Sequence, residues 1–446
     1  MEYLARTDYN KLEVEFYDGK TITTKVNSIN LHLFDNQIGL LSITTEKQEG
    51  DNTTGFDDFL RYNDVARRVY PPYLGKEDNT CTPKFDSILP VKISLYHREN
   101  NHNPIMEDFA PIDLEDLSHK GYDFWLSKII QKLLEPFELL HKENMKKGKI
   151  YYTPYIDDRM FVVSYYSDKE LSDGLKKRCC DRYVYETADE WYKFIFVDGN
   201  DIGIQNNAMK KELIQKHTYS RWADGGTLYG MSRYSFVMLC STEAPPYLKQ
   251  YMKSMYYQIA LMVLFQRAML LKFAGDVDSL TNLFEKEMLH ELREKANELQ
   301  GDFIKFINKY WFVEVTPQEQ GIEIYNQWMG LLNLERLYNE VQSEISQLSE
   351  YVENKIESET NKKVAIITHI GFPLMVISLV LSLWQIYEGR TKGVVSLGIY
   401  ELCKKAWHVY SFKLLLVPIG VIVLFAFLFW LIPKIKKWWH RFWRRN

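Results

Sequence analysis

The stretch His217-Thr218-Tyr219-Ser220-Arg221-Trp222-Ala223-Asp224-Gly225-Gly226 collects groups that can hold a nucleotide-like ligand. Arg221 offers a planar guanidinium fork for phosphate, and Tyr219 and Trp222 offer rings for stacking. Asp224 can face a cationic amino or sulfonium group, and the glycines allow close backbone approach. Arg67, Arg68, Asp158, Arg159, Ser232 and Arg233 are further ligand-binding candidates; an anionic ligand in a mainly acidic chain needs local positive charge, for which Arg159, Arg221 and Arg233 are the best-placed sources. The competing reading of all these residues is surface salt bridges and a solvated loop.

A second constellation lies late in the chain. Thr368, Gly371, Met375, Ser378, Ser382 and Gln385 alternate by three and four within a segment that is otherwise Ile, Leu, Val and Phe. Small and polar residues on one face of an apolar helix serve either a close helix–helix contact or a pore lining. Both readings stay open.

Other chemistry is not written in the chain. There is no phosphate-binding glycine loop, dinucleotide fingerprint or triad-like spacing. His290-Glu291, followed by Arg293-Glu294, lacks the second histidine of the zinc-protease pattern. The expectation is a protein that is not an enzyme, with no metal site and no covalent cofactor. Cys81, Cys179, Cys180, Cys240 and Cys403 show no ligand-like spacing, and an odd count suits a reducing compartment.

The elements that position these residues follow from charge and hydropathy. Of 55 Lys or Arg and 59 Asp or Glu, the last 83 residues hold 11 and 2, leaving 44 and 57 before them. An acidic body argues against direct nucleic-acid binding, which needs a basic footprint. Val364 to Tyr387 is uncharged over 24 residues and Leu414 to Ile432 over 19, each near the length of about 20 that crosses a bilayer. The N-terminus lacks an apolar signal core, so the large domain is expected in the cytosol with both termini on that side. Eight basic residues flank the spans on that side against five in the intervening loop, a positive-inside bias. Trp438, Trp439, Phe442 and Trp443 among the terminal bases suit an interfacial anchor.

The predicted organisation is an α/β cytosolic ligand-sensing domain over 1–250, a helical layer over 251–315 and a stalk helix over 316–363. A first transmembrane helix over 364–387 follows, then an extracytoplasmic loop over 388–413, a second transmembrane helix over 414–433 and a basic aromatic cytosolic tail over 434–446. Leu12–Tyr17, Thr21–Val26, Ile29–Phe34, Ile38–Thr44, Met160–Tyr166 and Phe194–Val197 read as strands, and Leu114–His141 as helical. Ile259–Phe265 is too short an apolar run to span and reads as a buried helix. Thr316-Pro317-Gln318-Glu319 reads as a capped helix start. A helix unbroken from there to Tyr387 would be roughly 100 Å long at 1.5 Å per residue. Leu331, Leu334, Tyr338, Val341, Ile345, Leu348 and Val352 form a heptad stripe along it, expected to drive self-association, with a single-chain hairpin as the competing reading.

A cytosolic α/β domain, a stalk helix running into a first span, a short loop and a second span resemble the CorA family of divalent-cation transporters, which implies a pentameric funnel with the first span lining the pore. The family's Gly-Met-Asn signature is missing: after the first span this chain reads Gln385-Ile386-Tyr387-Glu388-Gly389-Arg390. Ile29-Asn30-Leu31-His32-Leu33-Phe34, Ile38-Gly39-Leu40-Leu41-Ser42, Arg67-Arg68-Val69-Tyr70-Pro71, Asp157-Asp158-Arg159-Met160 and Tyr229-Gly230-Met231-Ser232-Arg233-Tyr234-Ser235-Phe236-Val237 look like a narrower group, the CorA-like proteins associated with type III CRISPR systems. That resemblance implies an inner-membrane effector of antiviral defence. Its activating ligand would be a nucleotide second messenger, either a cyclic oligoadenylate or an adenylated S-adenosylmethionine. The alternatives are a constitutive magnesium or cobalt transporter with an altered filter, which would take a divalent cation, and a non-conducting membrane-anchored scaffold.

Overall fold

The computed structural model describes residues 2–48, 50, 54–68, 89–99, 103–109, 127–135, 137–139, 150–153, 155, 159–199, 202–285, 289–312 and 314–391. Asp158, the second apolar segment 414–433, the tail 434–446 and most of the loop 388–413 lie outside these residues. The chain divides into two compact units, Met1–Ser349 and Glu350–Asn446.

The first unit opens with an antiparallel sheet curled into a half-barrel. Its strands are β1 (Glu2–Arg6), β2 (Tyr9–Glu15), β3 (Thr21–Leu33), β4 (Gly39–Lys47), β5 (Lys92–His97) and β6 (Ile105–Asp108). They run in the order β1-β3-β2-β5-β6, with β4 on the other edge of β3. The β2–β3 hairpin turns at Gly19, where φ of +82° suits glycine. The two strands expected at Thr21–Val26 and Ile29–Phe34 are one strand with a bulge against β4 between Val26 and Ser28. The bulge changes which residues face inward. Ile22, Val26 and Ile29 enter the sheet core with Val14, Phe16, Leu95 and Phe109. Beyond it, His32 turns to the Tyr257 hydroxyl, 3.1 Å from its Nε2.

Helix α1 (Phe56–Ala66) joins this core to a second one. Tyr62 and Val65 pack in the first. Leu60 packs in the second with Trp191, Phe194, Ile195, Ile214, Val237 and Leu239. That second core lies on a sheet of β7 (Val162–Ser167), β8 (Thr218–Tyr219), β9 (Leu228–Met231) and β10 (Ser235–Cys240), ordered β8-β9-β10-β7 with β7 parallel to β10. Helix α2 (Asp189–Phe196) covers it. Phe194–Val197 is therefore the end of a helix rather than a strand. Its aromatic and β-branched residues suggested a strand, but Trp191, Phe194 and Ile195 are buried at helical spacing. Within the expected helical stretch Leu114–His141, the described helix covers only Lys128–Leu133.

The helical layer begins with a π-helical turn, Met252–Tyr256, that runs into α3 (Tyr257–Glu285). Helix α4 (Leu289–Tyr310) packs beside it through Phe273, Phe303 and Phe306. Among the described residues two helices, Tyr247–Leu280 and Leu334–Leu383, are long and apolar enough to cross a membrane. The first is a core helix, as its flanking polar residues suggest: Ile259, Val263, Phe265 and Leu270 are buried. Gln266 is buried there too, donating to the Tyr310 carbonyl at 2.9 Å and accepting from the Tyr325 hydroxyl at 3.0 Å.

The expected single stalk is two helices. Helix α5 (Glu319–Leu331) starts after Gln318, without a side-chain cap, and α6 (Leu334–Thr391) follows Asn333. Asn333 has φ of +53°, the left-handed conformation that ends a helix and that asparagine tolerates. The upper heptad stripe has partners inside this chain. Leu334, Val341, Ile345 and Leu348 are buried, and Tyr338 stacks on Phe303 and Trp311. The hairpin reading therefore accounts for this part of the stripe, and α4 supplies the partner that no later helix offered.

Candidate functional site

The predicted ligand loop is docked on α5, the first of the two helices in the expected stalk. It leaves β8 at Tyr219, passes a 3₁₀ turn at Ala223–Gly225 and re-enters the sheet at Leu228. Arg221 donates to Glu323 at 2.8 Å and to Glu319 at 3.4 Å, both in the opening turns of α5. The Tyr219 hydroxyl donates to the other oxygen of Glu323, and Trp222 Nε1 donates to Gln320 at 3.0 Å. The Tyr219 and Arg221 hydrogen bonds hold the Glu323 carboxyl below the usual carboxylate range. Asp224 accepts from Arg178 at 3.1 Å and from the Tyr183 hydroxyl at 2.8 Å. Each charged group of this loop has a counter-charge from the same chain. The loop acts as a latch between sheet and helix.

The remaining arginines converge elsewhere. Helix α1 ends with Arg67 as its C-cap residue, where a cation complements the helix dipole. The next residue, Arg68, forms an isolated antiparallel bridge with Arg159, and Met160 N–H donates to the Arg67 carbonyl at 2.7 Å. The β9–β10 turn comes to the same place. Ser232 closes it by accepting from Tyr234 N–H at 3.2 Å and donating to the Ile195 carbonyl at 3.0 Å. Val162 N–H donates to the Tyr234 carbonyl at 2.9 Å. The Tyr234 ring then lies 5.6 Å from the Arg67 guanidinium carbon and 5.2 Å from that of Arg159, within cation–π range.

Arg67 and Arg68 are buried, at 4 % and 8 % exposure, while Tyr234 keeps 38 %. Arg67 Nη2 donates to Asp64 at 3.1 Å and to the Val197 carbonyl at 3.2 Å. Its Nη1 is buried without a hydrogen-bond partner among the described residues. Burial lowers the Arg67 pKa; Asp64 opposes this, and the charges of Arg159 and Arg68 add to the lowering. Arg67, Arg68 and Arg159 therefore share one neighbourhood, with Asp64 paired to Arg67.

Of the predicted ligand residues, the structure thus brings Arg67, Arg68 and Arg159 together. It places Ser232 as the buried brace of the adjoining turn and Arg233 exposed in that turn. It assigns Tyr219, Arg221, Trp222 and Asp224 to the latch. Asp158 lies outside the described residues. Tyr234 and Asp64 escaped sequence reasoning; the one local signal was an aromatic next to an arginine in a serine-bounded turn.

In α6, Thr368, Gly371, Met375, Ser378, Ser382 and Gln385 are all exposed. The Thr368 and Ser382 hydroxyls donate to the carbonyls of Val364 and Ser378, both at 2.8 Å. Set against known protein families, curated proteins and solved structures, the chain matches none of them.

Proposed function

We propose that this chain is a CorA-like membrane effector of type III CRISPR antiviral defence. Its cytosolic domain takes a nucleotide second messenger, an adenylated S-adenosylmethionine or a cyclic oligoadenylate. Ligand binding then switches a homo-oligomeric, pentameric membrane assembly that disrupts ion balance or the bilayer. The chain resides in the inner membrane with both termini cytoplasmic. One observation carries this reading. Within α6 the apolar window has none of its residues buried in the protein, and a water-exposed surface of that size and composition requires lipid or other apolar cover. The small and polar face from Thr368 to Gln385 supports a conducting or tightly packed role for the same helix.

The test is reconstitution of the purified protein into dye-loaded liposomes, followed by addition of each messenger. Leakage that depends on one of the messengers is the expected result. Magnesium or cobalt flux without ligand would replace this reading with the constitutive transporter. Membrane association without flux would leave the scaffold, and recovery in the soluble fraction would remove all three. A detergent-solubilised particle with the mass of a single chain plus micelle would refute the oligomer.

A further inference from the structure

We propose that His369, with the main-chain carbonyl that Pro373 leaves unpaired, is a hydrated polar site within the membrane-crossing part of α6. Its side of the helix, rather than the stripe from Thr368 to Gln385, borders the water path of the assembly, and the site takes water and the cations water carries. The proposal deepens the function above and rests on it for α6 crossing a bilayer.

His369 lies six residues beyond Lys363, about 9 Å further along the helix at 1.5 Å per residue. It is exposed, among Ile366, Ile367, Ile370 and Phe372, which are exposed too. An ionisable side chain at membrane depth is expensive and is found facing a bundle interior or a water-filled cavity. Pro373 adds a second polar group at the same level. It stands inside α6 and has no N–H, so the helix bond to the carbonyl four residues earlier, that of His369, cannot form. Within a membrane a freed carbonyl must be met by a side chain, a neighbouring helix or water.

The stripe makes no such demand. The Thr368 and Ser382 hydroxyls are already spent on the Val364 and Ser378 carbonyls, and small residues let a second helix approach closely. At 3.6 residues per turn, His369 and Pro373 lie roughly 150–170° around the helix from the middle of the stripe. One helix cannot turn both sides to the same axis, and the side that needs water is that of His369. In the second apolar segment, Leu414–Ile432, Trp430 is the one side chain able to hydrogen-bond. Its single N–H can meet one acceptor, whereas the site has a carbonyl oxygen and an imidazole that both donates and accepts. Water meets all three. The carbonyl oxygen and the imidazole lone pair attract cations rather than anions, as carbonyl-lined filters do.

Full-length protein carrying Ile367→Cys, His369→Cys or Ser378→Cys is reconstituted into liposomes. It is then treated with a charged, membrane-impermeant methanethiosulfonate, which reacts with thiols in water. Mass spectrometry of the peptide holding each substitution reads the adduct, so the native cysteines do not interfere. His369→Cys should react at least about tenfold faster than the other two, since thiol exchange depends on access. Ile367 is the depth control: it lies nearer Lys363 and almost opposite His369 on the helix, so closeness to the membrane surface alone would favour Ile367→Cys. The wild type supplies a reading free of any substitution. In deuterated water the His369 imidazole C2 hydrogen should exchange at a rate near that of the exposed His290, not that of the buried His32. The proposal is overturned if His369→Cys reacts no faster than Ile367→Cys, or if His369 exchanges as slowly as His32; either result makes the site packed and dry, against Trp430 or a neighbouring copy. Faster reaction of Ser378→Cys overturns it too and returns the water path to the stripe. A hydrated His369 in liposomes that no messenger makes leak keeps the site and removes the proposed effector function. Wild-type protein that does not insert into liposomes removes both.

Discussion

The Trp328 indole stacks on Phe236 with ring centres 5.1 Å apart and planes 19° from parallel. Phe161 meets the same indole at 5.4 Å. Phe236 follows Tyr234 by two residues and Phe161 follows Arg159 by two. Both ring contacts therefore lead from the arginine cluster to α5, the helix that turns through Asn333 into α6. The latch of Arg221 on Glu323 grips the opening turns of that same helix. A shift of either strand end would press on Trp328, because packed interiors transmit displacement rather than absorb it.

Trp328 is fully buried, so Trp328→Ala should destabilise the protein by about 3–5 kcal/mol through lost burial and the cavity left behind. Trp328→Phe keeps an aromatic face and should cost clearly less. Denaturant unfolding of both variants checks this, and equal losses would show that a ring kept against Phe236 and Phe161 contributes nothing.

Glu46 on β4 accepts from Lys249 and from Asn27, the latter at 3.0 Å, with Lys253 at 3.7 Å. These contacts, the Lys249 bond first, lower its pKa to about 2. A depressed carboxyl contributes stability above its unfolded value, and that contribution is lost as pH falls through the folded one. Because the group is partly exposed and screened, the loss should be about 1 kcal/mol rather than the full linkage value. It should develop between the ordinary glutamate range and about pH 2. The difference in unfolding midpoint between wild type and Glu46→Gln, followed against pH, should shrink across that window; a constant difference would contradict the assignment.

Local patterns in the chain were legible, and long-range pairings were not. The hairpin at Gly19, the buried character of Ile259–Phe265 and the apolar segment after Val364 each follow from composition within one window. The partners of Arg221 lie about a hundred residues downstream on α5, so its loop read as free for ligand when it is committed to carboxylates. The convergence of Arg67 with Arg159 depends on α1 lying between two sheets, which no local periodicity encodes. The stalk was read as one helix because Leu332-Asn333 contains neither glycine nor proline, yet an asparagine can adopt the left-handed turn.

If the face from Thr368 to Gln385 lines a pore, Ser378→Phe and Ser382→Phe should each reduce messenger-triggered leakage, since every subunit adds a ring at one level. If the face only packs against another helix, the same changes should lower the yield of assembled particles. Wild-type leakage and assembly in both variants would remove this face from either role. Liposome leakage and particle mass, measured together, distinguish these outcomes.

The last prediction concerns Gly199, which lets the loop after α2 rest on α1. A Cβ built there would lie 2.8 Å from Arg61 Cα and 2.9 Å from the Leu60 carbonyl oxygen. Both are helix backbone atoms, which cannot move aside as a flexible side-chain end could. Gly199→Ala must therefore lift the loop, at a cost of about 1–3 kcal/mol, the usual range for overpacking. The loop also carries the Val197 carbonyl that accepts from Arg67 and the Gly199 N–H that donates to Asp64, so the Arg67 fork should loosen with it. The variant should unfold at lower denaturant than wild type. Gly275→Ala in α3 is the control: nothing lies within 4 Å of a Cβ there, and helix propensity favours alanine by up to about 1 kcal/mol. It should be neutral or stabilising. A Gly199→Ala protein as stable as wild type would show that the loop does not sit as tightly on α1 as this contact requires.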